Sequence, residues 1–234
     1  MIANPEWSTF LLQVPWHRRL GLQFSAGSTQ PAGTWRPVSS AFSDVFQPLA
    51  DLLASARITD VAIDGASFLL FSWGRSDGSV CSWLSPAPSA LPPSGVCEPH
   101  ALLLRSFGGI VERANEPEEQ WLANHENVLT SKEALVDASF LLDFAWAFED
   151  ACVPIPIDPS AFYCIAREAN GNRTLCRRDG SQVLLFAPDH CFSHIQPLEG
   201  CPAYTLYTID GAADFTSWVN VVARQWLSVL RNAV

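Results

Sequence analysis

The sequence predicts an α+β fold, an antiparallel meander packed with several helices, and three stretches carry that expectation. "FYCIAREANGNRTLCRRDGSQVLLFA", beginning at Phe162, holds three apolar runs separated by Asn170-Gly171 and Asp179-Gly180. Such pairs supply the left-handed dihedrals that tight hairpins require. Near the C-terminus Phe215, Trp218, Val219, Val222, Trp226 and Leu230 recur at helical spacing, which places one apolar stripe on an amphipathic helix. "TSKEALVDASFLLDFAWAFED" opens with Thr130 and Glu133 in capping-box spacing, and predicts one mostly buried helix ended by Pro154, Pro156 and Pro159.

The remaining elements follow in chain order. The start, with Trp7, Trp16 and Trp35, reads as irregular. "SSAFSDVFQPLADLLASAR" sets Phe42, Val45, Phe46, Leu49, Leu52 and Leu53 on one helical face behind a serine cap, with Pro48 marking a kink or a late start. "ITDVAIDG" and "SFLLFSWGRSDGSVCSWL" read as strands, the second a hairpin turning between Gly74 and Ser79. "SPAPSALPPSG" is a Pro/Ser-rich connector. It divides the chain into residues 1–90, an N-terminal α/β part packed on the rest, and residues 91–234. "EPHALLLRSFGG" then predicts a short helix with Pro99 in its first turn and a stop at Gly108. An irregular acidic segment follows it, and "AYTLYTI" adds a strand before the last helix.

Composition bounds the class. With 234 residues, 48% of them hydrophobic and nine of them tryptophan, the chain can build a substantial core. Glu6 precedes a short apolar run broken by Pro15, which is not the pattern of a secretory signal, and no apolar run reaches the roughly 18 residues a membrane helix needs. A soluble, cytoplasmic protein is expected. Seven cysteines, none of them in C-x-x-C spacing, read as reduced and mostly buried thiols.

The net charge of −10 is unevenly spread. Residues 98–159 hold twelve acids against three bases, while the flanking stretches are nearly balanced. A surface of that sign repels nucleic-acid phosphates and would steer a basic partner; it would equally serve solubility alone.

Motifs for chemistry are sparse. Gly74-Arg75-Ser76-Asp77-Gly78 fits the G-x-S-x-G of a nucleophile elbow, but the next residues alternate like a strand where the elbow needs a helix. Asp189, His190, Cys191 and His194 are metal-capable. On a helix the two histidines would share a face, whereas on a strand they stand roughly 13 Å apart. Glu112, Glu116, Glu118 and Glu119 lie in a polar, proline-containing stretch, where solvated carboxylates stay ionised and suit docking better than acid–base work. His125 near Trp121 titrates or caps that loop. No phosphate-cradling glycine motif occurs, and Lys132, the sole lysine, sits in a helix's first turn. No catalytic residue, cofactor or metal is expected.

A family resemblance rests on three stretches. "LPPSGVCEPHALLLRSFGGI" resembles the entry of the SUKH superfamily, a proline-marked segment leading to a short helix and a Phe-Gly-Gly stop. "PSAFYCIAREANGNRTLCRRDGSQVLLFAPD" is similar to that family's strand-turn-strand core, and "FTSWV" opens a helix similar to its closing one. The likeness covers about residues 90 to 230. Residues 1–90, the long insertion "RANEPEEQWLANHENVLT" and the helix after it depart from the pattern. It implies a bacterial immunity protein that binds and neutralises a cognate toxin, often a nuclease, and it carries over no catalytic residue. Glu112, Glu116, Glu118, Glu119, Trp121 and Glu126 are the expected partner-binding surface, the carboxylates for steering and the indole as anchor. The alternatives are a hydrolase or metal-dependent enzyme using Ser76 or the Asp189–His194 cluster, and a regulatory scaffold module.

Overall fold

The computed structural model describes residues 4–14, 21–115, 125–189 and 193–231. Two antiparallel sheets and, among the described residues, six α-helices make a mixed α+β fold. The expected meander is present as the middle of the second sheet, and a separate sheet stands beside it.

Residues 5–13 form a helix where an irregular start was expected, and Trp16 lies outside the described residues. Asn4 caps α1 (Pro5–Gln13) by accepting from the Trp7 N–H, and Pro5 fits the first turn because its missing donor would have had no partner there. The Asn4 side-chain amide also donates to the Gly27 carbonyl at 2.7 Å, which ties the helix to β1 (Phe24–Gln30). The predicted helix after Ser39 is split into α2 (Ser40–Val45) and α3 (Gln47–Ala54), with Pro48 in the first turn of the second piece.

Strands β2 (Arg57–Ile63), β3 (Ala66–Gly74) and β4 (Val80–Pro86) pair in sequence, and the β2–β3 turn uses Asp64 and Gly65, both at positive φ. After the connector come α4 (Glu98–Ser106) and β5 (Glu112–Ala114), and β5 returns to pair with β4. The first sheet thus has the order β1-β2-β3-β4-β5. It takes its last strand from beyond the connector.

The second sheet contains β6 (His125–Val128), β7 (Phe162–Glu168), β8 (Arg173–Arg177), β9 (Val183–Phe186), β10 (Ile195–Pro197) and β11 (Leu206–Ile209), in the order β10-β11-β9-β8-β7-β6. The single helix expected from Thr130 to Asp150 is not there. Instead 3-10 turns at Glu133–Leu135 and Ala138–Phe144 lead into α5 (Ala145–Asp150). Backbone pairing wins over helical propensity: the Val136 carbonyl accepts from the Cys164 N–H at 2.8 Å, and Asp137 bridges Tyr163, so the chain must be extended at that point. The Thr130 half of the capping box does form, accepting from the Glu133 N–H at 3.1 Å, while the Glu133 carboxylate turns elsewhere.

The last helix, α6 (Phe215–Arg231), is the shared centre. Its buried stripe of Phe215, Trp218, Val219, Val222 and Trp226 joins Trp73 and Trp83 of the first sheet with Tyr163, Val183, Leu185 and Tyr207 of the second in one core. Trp83 and Trp226 meet at 4.7 Å between ring centroids, and Trp73 adds a third indole whose N–H donates to the Leu52 carbonyl. The outer face of the first sheet is covered by Trp7, Phe10 and Leu11 of α1; that of the second by Leu141 and Phe148.

The two sheets touch where the chain leaves α4. A Cβ on Gly108 would collide with the Pro86 carbonyl at the end of β4, and one on Gly109, at φ +84, would stand 2.5 Å from the Val128 carbonyl at the end of β6. Ile110 and Val128 then exchange backbone hydrogen bonds at 2.8 and 2.9 Å, while the next N–H, of Val111, donates to Leu84 of the first sheet. Replacing Gly109 by alanine should therefore lower the unfolding free energy by roughly 1–3 kcal/mol. Gly65→Ala, equally left-handed but with nothing within 4 Å, should cost less; urea denaturation of both variants measures the difference.

Candidate functional site

Glu112 lies in β5 and Glu126 in β6, at the two ends of the acidic segment. The Ile110–Val128 bridge holds these strands together, so both carboxylates stand at the base of that segment. Glu116, Glu118, Glu119 and Trp121 lie outside the described residues. Glu126 is exposed and pairs with the Arg167 guanidinium at 3.2 Å.

Behind it lies a charge network that sequence reasoning missed. Glu133 is buried, and its carboxylate takes Arg173 at 3.5 Å and Arg167 at 3.9 Å. Arg173 also lies over the Phe140 ring, 4.7 Å from its centroid. Burial raises the Glu133 carboxyl above its usual range, and the two arginines act against that rise. Glu133 looked like half of a capping box because its spacing from Thr130 fits; only the arrival of β7 and β8 beside it supplies the arginines.

A second polar cluster is sealed in the core. His100 of α4 is fully buried with Nε2 3.1 Å from the Leu129 carbonyl, so that nitrogen carries the proton and Nδ1 accepts from the Tyr163 hydroxyl at 3.1 Å. The ring is stacked between Tyr163 and Phe215, with centroids 5.6 and 4.8 Å away. Tyr163 also approaches the Cys97 thiol at 3.3 Å. A hydrogen bond from Cys176 is the main cause that draws the Cys97 thiol down to about 7, against the opposing effect of burial. Cys176 is pushed up by the same contact and by burial. All four side chains are buried, so the cluster bonds α4 to β7 and β8 and offers no group to a substrate.

The remaining motifs do not converge. Ser76 is exposed in the β3–β4 turn, closed by Arg75 and Ser79, and the chain continues into β4, a strand, where an elbow needs a helix. Asp189 accepts from the Asn170 side-chain amide at 2.8 Å, His194 sits at positive φ beyond it, and His190 and Cys191 lie outside the described residues. Among the described residues no three metal-capable side chains gather. His125 lies in β6. The six described cysteines are unpaired, four of them buried, and Cys191 lies outside the described residues. A groove of about 390 Å³ runs over β1, β2 and β3, and among the described residues Asp60 is the one ionisable side chain in its lining. One carboxylate lacks the partner that acid–base catalysis needs. No described helix is long and apolar enough to cross a membrane.

No family model, curated protein or solved structure matches this chain.

Burial drives the His100 imidazole down to about 4, below its ordinary 6.5. The unfolded chain therefore binds the extra proton between those values, so stability should be full above pH 6.5 and fall as pH drops towards 4. The loss is on the order of 3 kcal/mol. Denaturant midpoints measured across that range should slope less for His100→Gln than for the wild type.

Proposed function

We propose that this chain is an immunity-type binding protein: it binds and neutralises a cognate toxin, best matched by a basic nuclease effector, in the cytoplasm. The observation that carries the reading is the concentration of negative charge, twelve acids against three bases over residues 98–159. A nuclease groove must be basic to hold phosphates, so an inhibitor gains association rate and register by presenting carboxylates to it. The likeness of the Phe-Gly-Gly stop and the strand-turn-strand core to the SUKH superfamily points to the same class. Glu112, Glu116, Glu118, Glu119, Trp121 and Glu126 are the first contact candidates.

The hydrolase alternative draws little support, since Ser76 stands in a hairpin turn. A regulatory scaffold would use the same surface with a cellular partner. Co-expression separates the two: the product of the adjacent reading frame, toxic alone, should be harmless when this chain is present. Reversing Glu116, Glu118 and Glu119 to lysine should slow association by roughly tenfold and flatten its dependence on salt. An adjacent product that is not toxic, or cells that die regardless of co-expression, would exclude immunity.

A further inference from the structure

Residues 133–166 contain six acids, Glu133, Asp137, Asp143, Glu149, Asp150 and Asp158, and no lysine, arginine or histidine. Unlike residues 116–124, this stretch lies wholly within the described structure. Its 3-10 turn and α5 form one two-faced rod across the outer side of the second sheet. Inward, Leu141 and Phe148 pack on Phe162, Leu184 and Phe186, and the Phe144 and Phe186 rings meet at 4.8 Å.

The outward face is apolar where solvent should favour polar residues. Leu142, in the 3-10 turn, is 62% exposed, and Trp146, one turn further on in α5, is 60% exposed. Leu135, 74% exposed, stands just before them. Single exposed apolar residues are ordinary; three within residues 135–146, one of them a tryptophan, have the composition that interface centres favour. Asp143, Glu149 and Asp150 flank them, all exposed. Among the described residues those three carboxylates have no hydrogen-bond or ion-pair partner, whereas Glu126 and Glu133 are held by arginines.

Charge decides which partner fits. A second copy meeting this face across a two-fold axis would oppose carboxylate to carboxylate, with no base in residues 133–166 to relieve it. A phosphate backbone is repelled for the same reason. A folded protein with a basic rim around an apolar pocket matches both features, and the packed phenylalanines beneath present Trp146 on a rigid support, which lowers the ordering cost of binding.

We propose that the outward face of residues 135–150, with Trp146 and Leu142 as anchors and Asp143, Glu149 and Asp150 as rim, is the docking surface for a basic partner protein. This rests on the toxin-binding reading for the partner's identity and moves the principal contact away from Glu112–Glu126.

Surface plasmon resonance of the full chain against the purified product of the adjacent reading frame tests it. Trp146→Ala should weaken binding about 30-fold or more, chiefly through faster dissociation. Lysines at Asp143, Glu149 and Asp150 should slow association about tenfold. Lysines at the exposed Asp44, Asp60 and Glu199, the same charge change elsewhere, should leave both rates near the wild type. Unchanged melting temperatures keep the comparison clean. Equal losses in both triple variants would mean diffuse charge and no site, and a dimer dissolved by Trp146→Ala would mean that a second copy covers the face; either overturns the proposal. Neutralisation by Trp146→Ala and by the Asp143/Glu149/Asp150 variant at wild-type strength would leave the immunity reading standing and remove this surface. If the adjacent product binds no form of the chain, a labelled amphipathic Leu/Arg helical peptide becomes the probe. Binding lost in Trp146→Ala and kept in the Asp44/Asp60/Glu199 variant upholds the surface without the toxin reading; binding indifferent to Trp146 removes both.

Discussion

The close approach of backbone to backbone at Gly108 and Gly109 is the constraint on which the architecture turns. One glycine has the Pro86 carbonyl against it, the other the Val128 carbonyl. Any side chain there would separate the strands that these carbonyls end. Because the gap is closed, consecutive residues serve different sheets, Ile110 bonding to Val128 and Val111 to Leu84. The two sheets are thereby held at a fixed mutual position, and α6 can bury one stripe against both. Without that closure, the indole cluster of Trp73, Trp83 and Trp226 and the contacts of Val183 and Tyr207 would belong to two cores instead of one.

The polar network around His100 reinforces the same joint. Leu129, whose carbonyl accepts from the imidazole, directly follows Val128, and its own N–H donates to Ile165 at 2.6 Å. The helix that delivers the chain to the glycines thus also carries the histidine that holds the receiving strand. A buried imidazole is costly unless both nitrogens are satisfied, and here both are, which makes the arrangement specific to one packing of α4 against β6 and β7.

Local signals were legible and non-local ones were not. The hairpin turns at Asn170-Gly171 and Asp179-Gly180, the stripe of α6, the break around Pro48 and the stop at Gly108 all depend on residues close in sequence. Four Asp-x-Ser turns are equally local in origin, although the one at Asp137 falls inside the helix expected from Thr130: Asp77, Asp137, Asp158 and Asp179 each accept from the backbone N–H of the serine two residues on. The misread helix from Thr130 shows the opposite case. Its composition favours a helix, but the bond from Cys164 to Val136 comes from a strand far along the chain. The arginines around Glu133 were invisible for the same reason. The N-terminal helix was missed because its cap, Asn4, and its packing surface on β2 and β3 have meaning only together.

Net charge in a sequence treats all carboxylates alike, and the fold sorts them. In the acidic stretch Asp137 and Asp158 close turns, each with Oδ1 accepting from the backbone N–H of a serine. Glu133 and Glu126 are neutralised by Arg167 and Arg173. A carboxylate so paired contributes little to the field a partner meets, since its cation sits beside it and the pair looks like a dipole at distance. Asp143, Glu149 and Asp150 have no such cation. Unlike Glu126 and Glu133, they have no cation beside them among the described residues to cancel their field, and they border Trp146 and Leu142, which a partner must desolvate to gain affinity. Steering and anchoring thus fall on one rod, carried by α5 and the turn before it, and that coincidence makes its outer face a better candidate for recognition than the total charge of the segment could indicate.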